Sequence, residues 1–145
     1  MLEQIIAERL RSYIIQNNPD LLLRLQEQFG MTKYIEDKLA GISGQLQDWV
    51  SGGKPQYIIE ELSLELLTAD LRPSRFNYLK TLLEEEFPAS FSRFAEMGVL
   101  TYELTNLVAH CQPIFEQYNF SESKEEDRQM YYAITAEVDE YLRSA

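Results

Sequence analysis

The stretch Leu67–Pro88, LTADLRPSRFNYLKTLLEEEFP, decides how the chain is read. Phe76, Leu79, Leu83 and Phe87 recur at three- and four-residue intervals, the period of a helix with one buried face. Pro73 suits the first turn of that helix and Pro88 stops it. Its charges run against the helix dipole, which favours acids at the start and bases at the end. Arg72 and Arg75 stand at the beginning, and Glu84, Glu85 and Glu86 at the finish. Something outside the helix must hold them: an anion, a nucleic-acid backbone, or neighbouring parts of the fold.

The same period extends in both directions. Upstream, Leu2, Ile5, Ile6, Leu10, Tyr13 and Ile14 form a stripe that ends at Asn17-Asn18-Pro19. Asn18 and Pro19 then cap and open a short helix through Phe29, terminated by Gly30. Thr32 is positioned to cap a third helix whose buried side is Tyr34, Ile35, Leu39, Ile42, Leu46, Trp49 and Val50. Gly41 and Gly44 interrupt that helix, and a close helix–helix approach is the ordinary reason to keep them there. Ser51–Pro55, SGGKP, is the clearest break, and residues 51–54 are the one candidate hinge. From Pro55 to Leu71 apolar residues cover much of the circumference, which predicts a central helix.

Downstream, Ala89–Met97 makes a short helix ended by Gly98. Thr101 caps another through Tyr118, where Pro113 predicts a kink or a restart. Ser123-Lys124-Glu125-Glu126 fits a capping box for a last helix. Its buried stripe is Met130, Tyr131, Ile134, Val138, Tyr141 and Leu142. No alternating β pattern competes with these assignments. The expectation is an all-α, single-domain bundle of seven to eight short helices over residues 1–145.

Composition narrows the function classes. The chain carries a net charge of −11, with a third of its length, residues 101–145, contributing −6. Such acidity argues against a broad phosphate-binding surface, because nonspecific nucleic-acid affinity comes from Lys and Arg. The single Cys111 excludes an internal disulfide and suits a reducing compartment. No apolar run approaches the roughly 18 residues that cross a bilayer. The opening MLEQIIAERLR has no uninterrupted apolar signal region. A cytoplasmic protein is expected, with no membrane partner.

Chemistry-bearing patterns are few. Glu61 and Glu65 share a helix face, as do Glu103 and His110, and Glu86 borders an apolar face where a basic residue from another helix would pair with it. Cys111 adjoins His110, but neighbours on a helix diverge by about 100° and make no thiolate–imidazole pair. No glycine-rich phosphate loop, nucleophile elbow or metal-ligand spacing is present. No catalytic residue, cofactor or metal is assigned, and a non-enzymatic role is expected.

Two binding surfaces remain. Arg72, Arg75, Asn77, Tyr78 and Lys80 could hold an anion, or read nucleic acid from a helix-turn-helix-like corner at residues 67–83. Three terminal acids and the missing glycine positions around the turn weigh against the second use, and a protein carboxylate such as Asp70 could fill the anion site. The other surface is rich in tyrosine, of which the chain has nine. Tyr131 and Tyr132 are adjacent and cannot both face a core; Tyr132, Glu137, Asp139 and Glu140 would form an acidic contact surface for another protein with a basic face.

Three stretches, LRPSRFNYLKTLLEEEF, PIFEQYNFSES and YYAITAEVDEYL, carry a resemblance. Their serine–aromatic entry, Glu-Phe exit, Tyr-x-Phe-Ser corner and Tyr-rich final helix resemble an uncharacterised helical domain family of conjugative and other mobile elements of gut bacteria. The resemblance covers much of the second half only. It implies an all-helical fold and an accessory role in the biology of such elements, and it implies no catalytic residues.

Overall fold

The computed structural model describes residues 1–28 and 30–144, with the side chains of residues 27 and 28 outside the description. Among the described residues there are nine α-helices, two short 3-10 turns and no strand. The all-helical expectation holds, and the expected seven to eight helices become nine. The chain divides into two compact units, Met1–Arg72 and Pro73–Ala145.

The first unit contains α1 (Leu2–Asn17), α2 (Pro19–Gln28), α3 (Met31–Gly41), α4 (Ser43–Ser51) and α5 (Gln56–Leu67), followed by a 3-10 turn at Ala69–Leu71. Phe29, the expected last residue of the second helix, lies outside the described residues. Helix α1 packs on α2, α3 and α5, whereas α5 touches α1 and α4. The N-terminal helix is therefore the hub of this unit, not the helix after Pro55. The reason is visible in its stripe: Ile6, Leu10 and Ile14, each four residues apart, are fully buried. Leu25, Met31, Ile35, Ile42, Leu46, Ile59 and Leu67 close over them.

The extra helix comes from a break in the expected third one. Ile42 leaves helical geometry (φ −113°, ψ 10°) and is buried. The Ser43 hydroxyl donates back to the Ala40 carbonyl at 3.0 Å. Gly41 and Gly44 do not serve a close approach, since a Cβ on either would meet nothing within 4 Å. Val50, expected on the buried side, is exposed. Gly30 stands at the N-terminal end of α3 with φ 83°, so Thr32 lies inside the first turn and does not cap it. Residues 51–54 form a tight C-terminal turn inside the first unit: Gly53 takes φ 77° and the Lys54 N–H returns to the Trp49 carbonyl at 3.2 Å.

The second unit contains α6 (Arg75–Glu86), α7 (Pro88–Glu96), α8 (Leu100–Gln117), a 3-10 turn at Glu122–Lys124, and α9 (Arg128–Ser144). Helix α8 packs on α6, α7 and α9, and its Leu104, Leu107, Cys111 and Phe115 are buried at helical spacing. Met130, Ile134 and Val138 of α9 meet them, with Phe76, Leu79, Leu82 and Leu83 of α6. Tyr131, Tyr141 and Leu142 pack partly buried against this core, so the stripe expected for the last helix is the one observed.

The helix ends explain themselves chemically. Ser74 accepts the Asn77 N–H at 3.0 Å and caps α6. Asp127, not the Ser123 box, caps α9: its Oδ1 accepts the Met130 N–H at 2.9 Å. Val99, not Thr101, precedes α8. That helix closes with Asn119 at φ 52°, the Phe120 N–H bonded to the Phe115 carbonyl at 2.9 Å, and the two rings 4.8 Å apart. Helix α8 runs through Pro113 without a restart. Both Pro113 and Ala109, whose carbonyl loses its donor, are exposed.

Candidate functional site on the second unit

Of the reversed charges of α6, Arg75 and Glu86 have contacts within the second unit, and Arg72, just ahead of the helix, turns back to α5. Arg72 Nη2 donates to the Glu65 carbonyl at 3.1 Å, at the electronegative end of α5. The Arg75 guanidinium lies 5.3 Å from the centre of the Phe115 ring. Asp70, the nearby candidate carboxylate, is engaged by Lys38 Nζ at 2.7 Å. At the other end, Glu86 accepts the Tyr131 hydroxyl at 2.6 Å. A phenol thus stands where the sequence reading placed a basic residue. Such a border carboxylate needs a donor, and a neutral one suffices.

This arrangement bears directly on the five residues of the proposed anion or nucleic-acid surface. Arg72, Arg75, Asn77 and Tyr78 are all partly buried, and only Lys80 is exposed. Tyr78 packs edge-on to Phe115 (5.7 Å, 81°) and Phe120 (5.3 Å, 74°). Burial, then the charge of Asp127, pushes its hydroxyl up to about 12. Thr68 to Ser74, with a 3-10 turn between them, separate α5 from α6. That is longer than the three- to four-residue turn of a helix-turn-helix. The two helices also belong to different units.

The four residues of the protein-contact surface divide. Tyr132 is 60% exposed. Asp139 falls within about 20° of it around the helix, whereas Glu140 is about 80° away and Glu137 about 140°. Glu137 turns toward α8, where its Oε2 lies 3.2 Å from His110 Nε2. Asp139 pairs with Arg143 at 3.1 Å, and Glu140 is exposed. They do not form one contiguous acidic patch, because the stripe through Tyr132 and Asp139 also carries Arg128 and Arg143.

What the structure assembles instead is a surface around the start of α9. Arg128 Nη2 donates to the Tyr132 hydroxyl at 3.2 Å. Burial, then the hydrogen bond to Glu86, pushes the Tyr131 hydroxyl up to about 12, so it stays a donor at neutral pH. Exposed Glu85 and Glu86 lie on one side. Sequence reasoning missed Arg128, though its spacing of three and four residues from the tyrosines was legible. The Glu86–Tyr131 bond links α6 to α9, and no local pattern announces it.

The remaining titratable groups sort by helix. Glu60 and Glu61 share Arg9, at 3.3 and 2.8 Å, in the first unit. Glu103 accepts the Tyr141 hydroxyl at 2.8 Å, and the Tyr141 ring stands 5.5 Å from His110. Burial and the Glu103 bond raise the Tyr141 hydroxyl. Glu103 and His110 are thereby brought to one polar seam between α8 and α9, without Glu61, Glu65 or Glu86. Cys111 is buried, and burial pushes its thiol up to about 12, so it is not a thiolate at neutral pH. Among the described residues no three His, Cys, Asp or Glu side chains are grouped to hold a metal ion, and no helix is long and apolar enough to cross a membrane.

No family model, curated protein or solved structure matches this chain.

Proposed function

We propose that the chain is a non-enzymatic interaction or regulatory module that binds a protein with a basic surface. The observation that carries this reading is the exposed Tyr132, set beside the half-buried Tyr131 on α9 with Arg128 over both rings and the exposed carboxylates Glu85 and Glu86 alongside. Tyrosine and arginine are residues on which interface energies concentrate: the tyrosine ring buries much area for little lost entropy, and the guanidinium adds directional donors and a planar face. The second unit has six Lys and Arg against thirteen Asp and Glu, which suits a cationic partner and disfavours phosphate. The setting, an accessory role on a bacterial mobile element within the cytoplasm, rests on the resemblance of the second half and on composition.

The test is a native pull-down from the source cell at low salt, with and without nuclease, using the wild-type chain, Tyr132→Ala and Arg75→Ala. A protein retained through nuclease treatment and lost with Tyr132→Ala supports the reading. Nucleic acid retained by the wild type and lost with Arg75→Ala replaces it with the alternative surface around α6.

A further inference from the structure

Three and four residues before Tyr131 and Tyr132, Arg128 reaches both rings with one guanidinium. Its Cζ lies 5.0 Å from the centre of the Tyr131 ring and 5.1 Å from that of Tyr132. The two rings meet at 75° with centres 6.2 Å apart, so they form two walls of an open corner and not a stack. Both ring faces carry negative quadrupole density toward a cation placed there. A carboxylate completes the corner: Glu86 holds the Tyr131 hydroxyl at 2.6 Å, and its charge acts on the Arg128 guanidinium.

The occupant of this corner is weakly held. Arg128 is exposed. Among the described residues it makes no close ion pair, and its contacts are two rings and one neutral hydroxyl at 3.2 Å. An exposed cation–π contact is worth about 0.5–1 kcal/mol, so a second cation can displace it at small cost. Arg128 also sits at the first position of α9, where a positive charge opposes the helix dipole. The corner therefore has the chemistry of a cation receptor whose present tenant has reason to leave. Glu85 and Glu86 on α6 set exposed negative charge beside it, and the exposed Glu125 and Glu126 precede Arg128 by three and two residues in the chain.

We infer that the Tyr131–Tyr132–Glu86 corner receives a guanidinium side chain from a partner protein, with Arg128 acting as a resident competitor that the incoming arginine displaces. The inference rests on the protein-binding reading above and names the chemistry of the contact. Arginine fits better than lysine. A guanidinium lies over a ring and donates to a phenol oxygen through separate N–H groups, as Arg128 does, and it gives up less hydration on entering such a corner than a compact, strongly hydrated ammonium.

The test is fluorescence anisotropy of a labelled oligoarginine peptide titrated with the full chain at low salt. A net charge of −11 attracts any polycation, so variants are compared in matched pairs. Arg128→Ala is set against Arg143→Ala, which changes the net charge equally at the far end of α9. Tyr132→Ala is set against Tyr102→Ala, which removes an exposed tyrosine of α8. Arg128→Ala is expected to tighten binding about two- to fivefold relative to Arg143→Ala, and Tyr132→Ala to weaken it by a similar factor relative to Tyr102→Ala. Equal affinities within both pairs remove the corner while leaving a generally acidic binding surface. An oligolysine of the same length bound as tightly as oligoarginine overturns the guanidinium assignment. No binding by the wild type or by Arg128→Ala removes both the corner and the basic-partner reading.

Discussion

Removing the hydroxyl of Tyr78 should make this protein more stable. The Tyr78 oxygen is buried and makes no hydrogen bond among the described residues. A buried polar group without a partner costs about 1–3 kcal/mol relative to its hydration in the unfolded chain. The ring itself is well placed, edge-on to Phe115 and Phe120, and phenylalanine keeps both of those contacts. Tyr78→Phe therefore subtracts the penalty and little else, for an expected gain of about 1 kcal/mol at neutral pH. Urea unfolding followed by far-ultraviolet circular dichroism reads this as a raised midpoint with an unchanged slope. The pH dependence gives a second reading. The folded value of about 12 lies above the ordinary 10.0, so the folded state holds this proton more tightly than the unfolded one. The resulting contribution is fully present below pH 10 and is lost as pH rises through about 12, with stability falling across that window. Tyr78→Phe should shallow that alkaline fall. A loss of about 1 kcal/mol at neutral pH would show that the hydroxyl has a partner and that the reasoning is wrong.

Gly44→Ala, at an open position of α4 with no neighbour within 4 Å of its Cβ, should stabilise by about 0.5–1 kcal/mol. The single Trp49 in the same helix reports the transition by fluorescence, and destabilisation would reinstate the close-approach reading. Phe115→Ala removes a fully buried ring that touches Tyr78, Phe120 and the Arg75 guanidinium, and should cost about 3–5 kcal/mol by urea unfolding. Asp127→Ala deletes the side-chain acceptor for the Met130 N–H and should cost about 1 kcal/mol, whereas Ser123→Ala should change stability little. Equal effects of the two would return the cap of α9 to the Ser123 box.

The buried stripes were legible because a helix of period 3.6 writes its inner face into sequence spacing. Ile6, Leu10 and Ile14, and Met130, Ile134 and Val138, needed no tertiary information. Caps were less legible. Thr32, Thr101 and Ser123 each have the right chemistry for a cap, but a hydroxyl does not decide which backbone N–H it will face. Gly30, Val99 and Asp127 took those places. The break at Ile42 was hidden because a buried residue leaving the helix keeps the same apolar spacing as one staying in it. The site was half legible. Arg128, Tyr131 and Tyr132 are local on one helix, but the Glu86–Tyr131 bond and the His110–Glu137 and Glu103–Tyr141 pairs depend on how α6, α8 and α9 pair, which spacing along one helix does not encode.

Each of the two units is one unbroken run of chain, and its core draws only on that run. This has a consequence for biosynthesis. Contacts between residues near in sequence close small loops and form quickly. A chain leaves the ribosome at roughly 5–20 residues per second, with its N-terminal part folding first. The set that packs around Ile6, Leu10 and Ile14 is complete at Leu71, so it can bury its apolar stripe while the rest is still being translated. Exposed hydrophobic surface on the nascent chain is then limited to one unit at a time, which shortens the interval in which a half-made chain can aggregate or engage a chaperone.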